Sequence, residues 1–209
     1  MYLSRVPLDL SKRKTQIAMA SPNKFHGAVE ESFSGNRERN LWRIDTLKGK
    51  TYLMILSVSK PDLSGIAEQF GERGACGETR EYDGLLNRIK EGSVWHFRLA
   101  ANPVHSMKTE SGRGKVVAHI SEKYQIEWLK RQAEKRGFRL LPDTVCVRES
   151  NWKIFSKHNS RQKVRLLEVT FEGILQVEST DIFKDSLLHG IGRGKAYGMG
   201  LLTIAGTGA

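Results

Sequence analysis

The order of apolar and polar residues divides the chain into short elements. Stretches in which every second residue is apolar read as strands. Stretches with apolar residues three, four or seven apart read as helices. MYLSRVPLDL is a strand on this basis, with Val6, Leu8 and Leu10 alternating. Ser21-Pro22 then suits a helix start, with Ser as cap and Pro in the first turn. That helix carries Phe25, Ala28, Val29 and Ser32 and ends near Gly35. NLWRID and TYLMILSV are strands separated by a turn at Lys48-Gly49-Lys50. A short helix follows Pro61-Asp62, and the glycine-rich, polar residues 71–84 read as a loop. VWHFRLAANPV is a strand that closes this half.

The second half repeats the rhythm after a polar connector, MKTESGRGK. SEKYQIEWLKRQAEKRGF is the clearest helix, with Ile126, Leu129 and Ala133 on one stripe and Gly137 to end it. TVCVRES and VRLLEVTFEGILQV are strands, STDIFKDSLLH is a helix, and LLTIA is a last strand. Each half is approximately βαββαβ, so the predicted fold is α+β, two tandem ferredoxin-like domains. The first would span residues 1–104 and the second 105–209.

Composition fits one domain or two of about 100 residues each, and 39% apolar residues suffice for a core. The start, MYLSRVPLDLSKRK, holds no apolar run of signal-peptide length, and no segment reaches a membrane span. Cys76 and Cys146 form neither a disulfide framework nor a zinc pattern. Reduced thiols in a cytoplasmic protein are expected. The charge is more telling. There are 34 basic residues against 23 acidic ones, a net of +11. Residues 150–167 hold no acid, while Lys153, Lys157, Arg161, Lys163 and Arg165 recur. A solvated surface explains scattered charge well and an acid-free run poorly, so a polyanionic partner is expected. No basic amphipathic helix accompanies the run, which favours nucleic acid over a membrane.

Near the C-terminus the chain reads GIGRGKAYGMG. Its glycines are Gly190, Gly192, Gly194, Gly198 and Gly200, with Arg193 and Lys195 among them. The spacing fits neither Gly-x-x-x-x-Gly-Lys-Ser/Thr nor Gly-x-Gly-x-x-Gly, and the segment follows a helix rather than a strand. A mononucleotide cradle is therefore disfavoured. A backbone-rich surface for phosphates in a chain fits better than a plain surface loop.

Six histidines are present: 26, 96, 105, 119, 158 and 189. None belongs to a tight metal-binding pattern or an acidic cluster, so no metal and no cofactor is expected. RNA allows a metal-free alternative. Its 2′-hydroxyl can attack the adjacent phosphate if one group takes the proton and another protonates the leaving 5′-oxygen. Histidine suits either task, and lysine or arginine can stabilise charge on the phosphate. His26 sits at the edge of the apolar stripe of the first helix, near its N-terminus and beside Lys24; His158 lies in the basic run; His96 is expected to pack in its strand. The residues alone leave these alternatives open.

Four stretches occur in order along nearly the whole chain: MYLSRV, FHGAVEESF, HFRLAANPV, and FEGIL followed after a helix by GIGRGKAYGMGLLTIA. They resemble the CasE (Cse3) family of CRISPR-associated repeat-RNA endoribonucleases, in the repeat-associated mysterious protein superfamily. The glycine segment matches that superfamily's Gly-hydrophobic-Gly, five residues, Gly-hydrophobic-Gly pattern at Gly190-Ile191-Gly192 and Gly198-Met199-Gly200. The resemblance implies two ferredoxin-like domains with RNA bound across them. It implies metal-independent cleavage of the CRISPR repeat hairpin, leaving 5′-hydroxyl and 2′,3′-cyclic phosphate ends. It also implies retention of the mature guide RNA within a Cascade-type complex with other subunits. His26 falls where the family has its catalytic histidine. Asn23 stands where better-known relatives have a tyrosine, so the second catalytic group is open among Asn23, Lys24, Lys157 and His158. A basic hairpin at residues 150–167 is expected to enter the RNA groove. Its expected contacts are Lys153, Lys157, His158, Arg161, Lys163 and Arg165, joined by the five glycines, Arg193 and Lys195. The competing reading is a non-catalytic RNA-binding subunit of the same fold.

Overall fold

A computed structural model describes residues 1–35, 38–108, 112, 114–156 and 163–207. Strand β1 (Tyr2–Pro7) leads into two helices, α1 (Arg13–Ala20) and α2 (Asn23–Glu31). A hairpin of β2 (Leu41–Leu47) and β3 (Lys50–Ser57) follows, then α3 (Ser64–Phe70), β4 (Glu78–Glu81) and the single turn α4 (Asp83–Leu86). The sheet order is β2-β3-β1-β4, and every described neighbour pair is antiparallel. That is the ferredoxin-like arrangement with an extra helix after β1. The hairpin turn uses Lys48 and Gly49, both at positive φ, as a tight two-residue turn requires.

The second unit begins with β5 (Val94–Ala101) and a small hairpin of β6 (Val104–Met107) and β7 (Lys115–Ala118). Helix α5 (Glu122–Glu134), β8 (Phe138–Leu140), the long strands β9 (Cys146–Ser156) and β10 (Lys163–Val177), α6 (Thr180–His189) and β11 (Leu202–Gly206) complete it. The order is β11-β5-β10, with β9 and β8 both on the far edge of β10. The strand expected to close the first half therefore opens the second sheet. Trp95, Phe97 and Leu99 point inward from it, and β10 and β11 flank it. The expected boundary after residue 104 is corrected to the stretch before β5. His96, expected to pack, is exposed because it faces away from those three side chains.

Strand β3 reads as an unbroken apolar run because both faces of the first sheet are covered. Leu53 and Ile55 face α1, α2 and α3, packing with Phe25, Val29, Ile66 and Phe70. Met54 and Leu56 face the second unit, with Leu41, Leu99, Leu129 and Phe183 in one continuous core. Each such side chain contributes about 1.5–3 kcal/mol when fully buried.

Into that second face the chain places a charge. Arg43 is 2% exposed. Its guanidinium donates to both Asp45 oxygens, at 2.8 and 2.5 Å, to the carbonyls of Arg98 and Leu201, and to Thr203 Oγ1. Asp45 also meets Arg98, which meets Glu172. One buried network thus joins β2 to β5 and β11.

Two elements are absent from the hydrophobic pattern. Helix α1 buries Thr15 and Ala18 and shows no large apolar stripe; Thr15 Oγ1 holds it to the Phe70 carbonyl at 3.1 Å. Strand β4, within the predicted loop, is the polar edge segment ETRE. It is held by its ladder to β1, by Arg5 to Glu78, and by Ser4 to Thr79. Edge strands of this kind need no alternation.

Candidate active site

Phe25, Ala28 and Val29 fix the buried face of α2. His26, next to Phe25, is only partly buried and is turned toward the C-terminal glycine segment. Its Nδ1 is shut away from solvent and has no hydrogen-bond partner among the described residues, which leaves Nε2 as the nitrogen for a substrate. Facing α2 is a 3-10 turn at Lys195–Tyr197. Between them lies a cleft of about 580 Å³. His26 and Glu30 line it from α2, and Glu38, Arg39 and Asn40 line it from the loop before β2. Gly192, Arg193, Gly194, Lys195 and Ala196 form the opposite wall.

The glycine segment is tightly folded. Ile191 N–H donates to the Gly200 carbonyl at 2.9 Å, and Gly200 N–H to the Ala100 carbonyl at 2.6 Å. Gly198 has φ 83°, and a Cβ there would come within 2.7 Å of Trp42 Cζ3. Only glycine serves both demands. Gly190, Gly198 and Gly200 are buried, so the expectation that all five glycines face RNA is corrected. These three shape the turn, and the cleft wall itself is formed by Gly192, Arg193, Gly194 and Lys195. Gly198→Ala is expected to lower stability by about 2–4 kcal/mol, from left-handed backbone strain and overpacking against Trp42. Gly27→Ala, in open space on α2, is expected to be neutral or stabilising by up to about 1 kcal/mol. Urea midpoints of the two variants check the contrast.

Charge in the cleft is concentrated on the glycine side and in the preceding loop. Lys195 is half-buried and Arg193 is exposed. Burial, then the nearby charges of Arg39 and Arg136, lowers the Lys195 ammonium below the usual lysine range. Arg39 was missed in the sequence. It lies in a polar stretch, GNRERN, and only the fold brings it to α2.

The other expected residues divide. Asn23 Oδ1 accepts a 2.6 Å hydrogen bond from Ser21 Oγ, so Ser21 bonds a side chain rather than capping a helix N–H. Lys24 is exposed and does not line the cleft. Neither Asn23 nor Lys24 lines the cleft. The basic hairpin exists as β9 and β10, which pair from Ser156–Lys163 to Cys146–Glu172. Phe155 and Tyr197 pack with ring centroids 4.9 Å apart and planes tilted by 58°, so the turn end of the β9–β10 ladder lies against the glycine segment. Lys163 is exposed, and Arg165 lies 4.3 Å over the Trp152 ring. Lys153 is instead paired with Glu168 at 3.2 Å in a separate cavity, which removes it as a free phosphate contact. Burial pushes the Glu168 carboxyl above its usual range against the pull of Lys153. Lys157, His158 and Arg161 lie outside the described residues.

A family model described as CRISPR associated protein matches residues 1–206. The CRISPR-associated endoribonuclease Cse3 of Thermus thermophilus is 29% identical over 219 residues, covering 98% of this chain and 100% of that protein. The CRISPR system Cascade subunit CasE of Escherichia coli is 30% identical over 126 residues, covering 56% of this chain and 61% of that protein. Among solved structures, Cse3 bound to a 19-nucleotide RNA superposes with a TM-score of 0.81 at 26% identity, covering 98% of this chain and 100% of that one.

Proposed function

Because the chain belongs to the CRISPR-associated protein family, and within it to the Cse3/CasE group, we propose that it is the endoribonuclease that cuts CRISPR precursor RNA at the repeat hairpin. The observation that carries the reading is the cleft itself. One histidine nitrogen faces a wall that presents Arg193 and Lys195, with Arg39 beside it. A phosphodiester laid between those walls meets a proton acceptor on one side and positive charge on the other. The 2′-hydroxyl then attacks its own phosphate, giving a 2′,3′-cyclic phosphate and a 5′-hydroxyl. Among the described residues no three His, Cys, Asp or Glu side chains converge as a metal-holding group; this reading gives the proton transfers to side chains of the cleft. His26 is the catalytic residue at the 2′-oxygen.

The partners that follow are the repeat stem-loop, the mature guide RNA retained after cleavage, and the other subunits of a Cascade complex. Among the described residues no helix is long and apolar enough to cross a membrane, and a cytoplasmic site of action fits this reading. The exposed Lys163, and Arg165 on Trp152, extend the phosphate-binding surface away from the cleft.

The test is incubation with the cognate repeat hairpin in EDTA. The enzyme reading requires cleavage. Tight binding without cleavage would favour the second reading, a non-catalytic RNA-binding subunit, which Asn23 in place of the expected tyrosine supports. Arg193→Ala is expected to weaken RNA binding several-fold. It should also reduce the slope of log K against log salt by about one, as loss of one phosphate contact does. An unchanged slope removes Arg193 from the interface.

A further inference from the structure

We propose that Lys195 is the acid of the cleavage reaction, giving its ammonium proton to the 5′-oxygen as that oxygen leaves phosphorus. The inference rests on the RNA-cleaving reading above and assigns the group that Asn23 leaves open.

An in-line attack puts the 2′-oxygen and the 5′-oxygen on opposite sides of phosphorus. His26 presents one accessible nitrogen, so it can serve one of the two oxygens. The second group must stand on the other wall. Asn23 is an amide bonded to Ser21, and Lys24 is not part of the cleft's lining. Arg39 and Arg193 hold their protons too tightly to be acids. Glu30 and Glu38 lie on the same side as His26, on α2 and in the loop before β2, and not on the facing wall. Lys195 remains, on the wall facing α2.

Its stem is fixed. Gly194 and Gly198 flank the turn at φ 86° and 83°, and Tyr197 N–H bonds the Gly194 carbonyl at 2.8 Å. A Cβ on Gly200 would come within 3.1 Å of Lys195 Cγ, so the bare glycine is what the lysine stem lies over. The titratable and charged groups around it are His26 and Glu30 on α2, Glu38 and Arg39 before β2, Arg193 on its own segment, and Arg136 after α5. Burial and the two arginines lower its pKa and so strengthen it as an acid.

The step balances. His26 Nε2 takes the 2′-hydroxyl proton as the 2′-oxygen bonds phosphorus. The bond from phosphorus to the 5′-oxygen breaks with its electron pair on oxygen, and Lys195 supplies the proton. The products are a cyclic phosphate, a 5′-hydroxyl, an imidazolium and a neutral amine, and solvent restores both side chains.

The experiment is single-turnover cleavage in EDTA at saturating protein, with two hairpins. One is ordinary RNA. The other carries sulfur in place of the bridging 5′-oxygen at the mapped cut, a leaving group that needs no proton. Lys195→Met is expected to cut ordinary RNA about 10²–10³-fold more slowly, with affinity reduced only several-fold. On the sulfur substrate it should come within a few-fold of the parent. Lys195→Arg keeps the charge without the acidity and should behave the same way. His26→Ala should stay slow on both. In the parent, the rate on ordinary RNA should fall at alkaline pH as Lys195 loses its proton, and this limb should vanish on the sulfur substrate. The proposal is overturned if Lys195→Met is equally slow on both substrates, if it is fast on both, or if Lys195→Arg restores the rate on ordinary RNA. A parent protein that cuts neither substrate would instead overturn the enzyme reading itself.

Discussion

His26→Ala is expected to slow single-turnover cleavage of the cognate hairpin by about 10²–10⁴-fold, the usual contribution of a positioned acid or base. Affinity for the RNA should stay within a few-fold, because Arg39, Arg193 and Lys195 still line the cleft. The fold should survive. Phe25, Ala28 and Val29, not His26, anchor α2 in the core, and the buried His26 Nδ1 has no hydrogen-bond partner among the described residues to lose. Gel-resolved cleavage and a binding isotherm on the same preparation separate the two effects. A variant that cuts at the parent rate would move the chemistry to another residue.

Arg43→Met is expected to cost about 3–5 kcal/mol, because it leaves Asp45, 6% exposed in the junction of the two sheets, with only the longer 3.4 Å contact to Arg98. It also leaves the Leu201 carbonyl and Thr203 hydroxyl short of their donor. Set against a total stability of roughly 5–15 kcal/mol, this is a large fraction. For a chain of this size the thermal midpoint should fall by about 10 °C or more. Arg43→Met with Asp45→Asn should recover part of the loss, since the buried carboxylate is then neutral and Arg98 keeps Glu172 as its partner. A double variant no better than the single one would mean that the carbonyl contacts, rather than the ion pair, hold the junction.

The two predictions mark where the sequence was legible and where it was not. Strands β3 and β10 show their apolar runs openly, and Phe25, Ala28 and Val29 announce α2. Helix α1 is silent because its buried residues are Thr15 and Ala18. Strand β4 is silent because backbone ladders and polar pairs hold it. The strand from Val94 was recognised, yet its partner sheet was misread, since alternation gives a strand's faces and not its neighbours. Arg43 carried a signal: a charge within LWRID with Asp45 two residues on, on the same face. The cleft was half legible. His26 and the glycine segment each stood out, but nothing in the chain order says that α2 faces Lys195, or that Arg39 joins them. Composition pointed to Lys153 as a phosphate contact, and only the structure reveals Glu168 beside it.

The central claim is that the RNA cuts itself with its own 2′-hydroxyl, positioned by this cleft. The most direct measurement replaces one sugar, at the nucleotide 5′ to the cut, by its 2′-deoxy form and follows cleavage in EDTA. The all-RNA hairpin should be cut to 5′-hydroxyl and 2′,3′-cyclic phosphate ends, while the deoxy hairpin binds equally well and stays whole. Cleavage of the deoxy hairpin at the same phosphate, or cleavage of either hairpin only when a divalent metal is restored, would contradict the account.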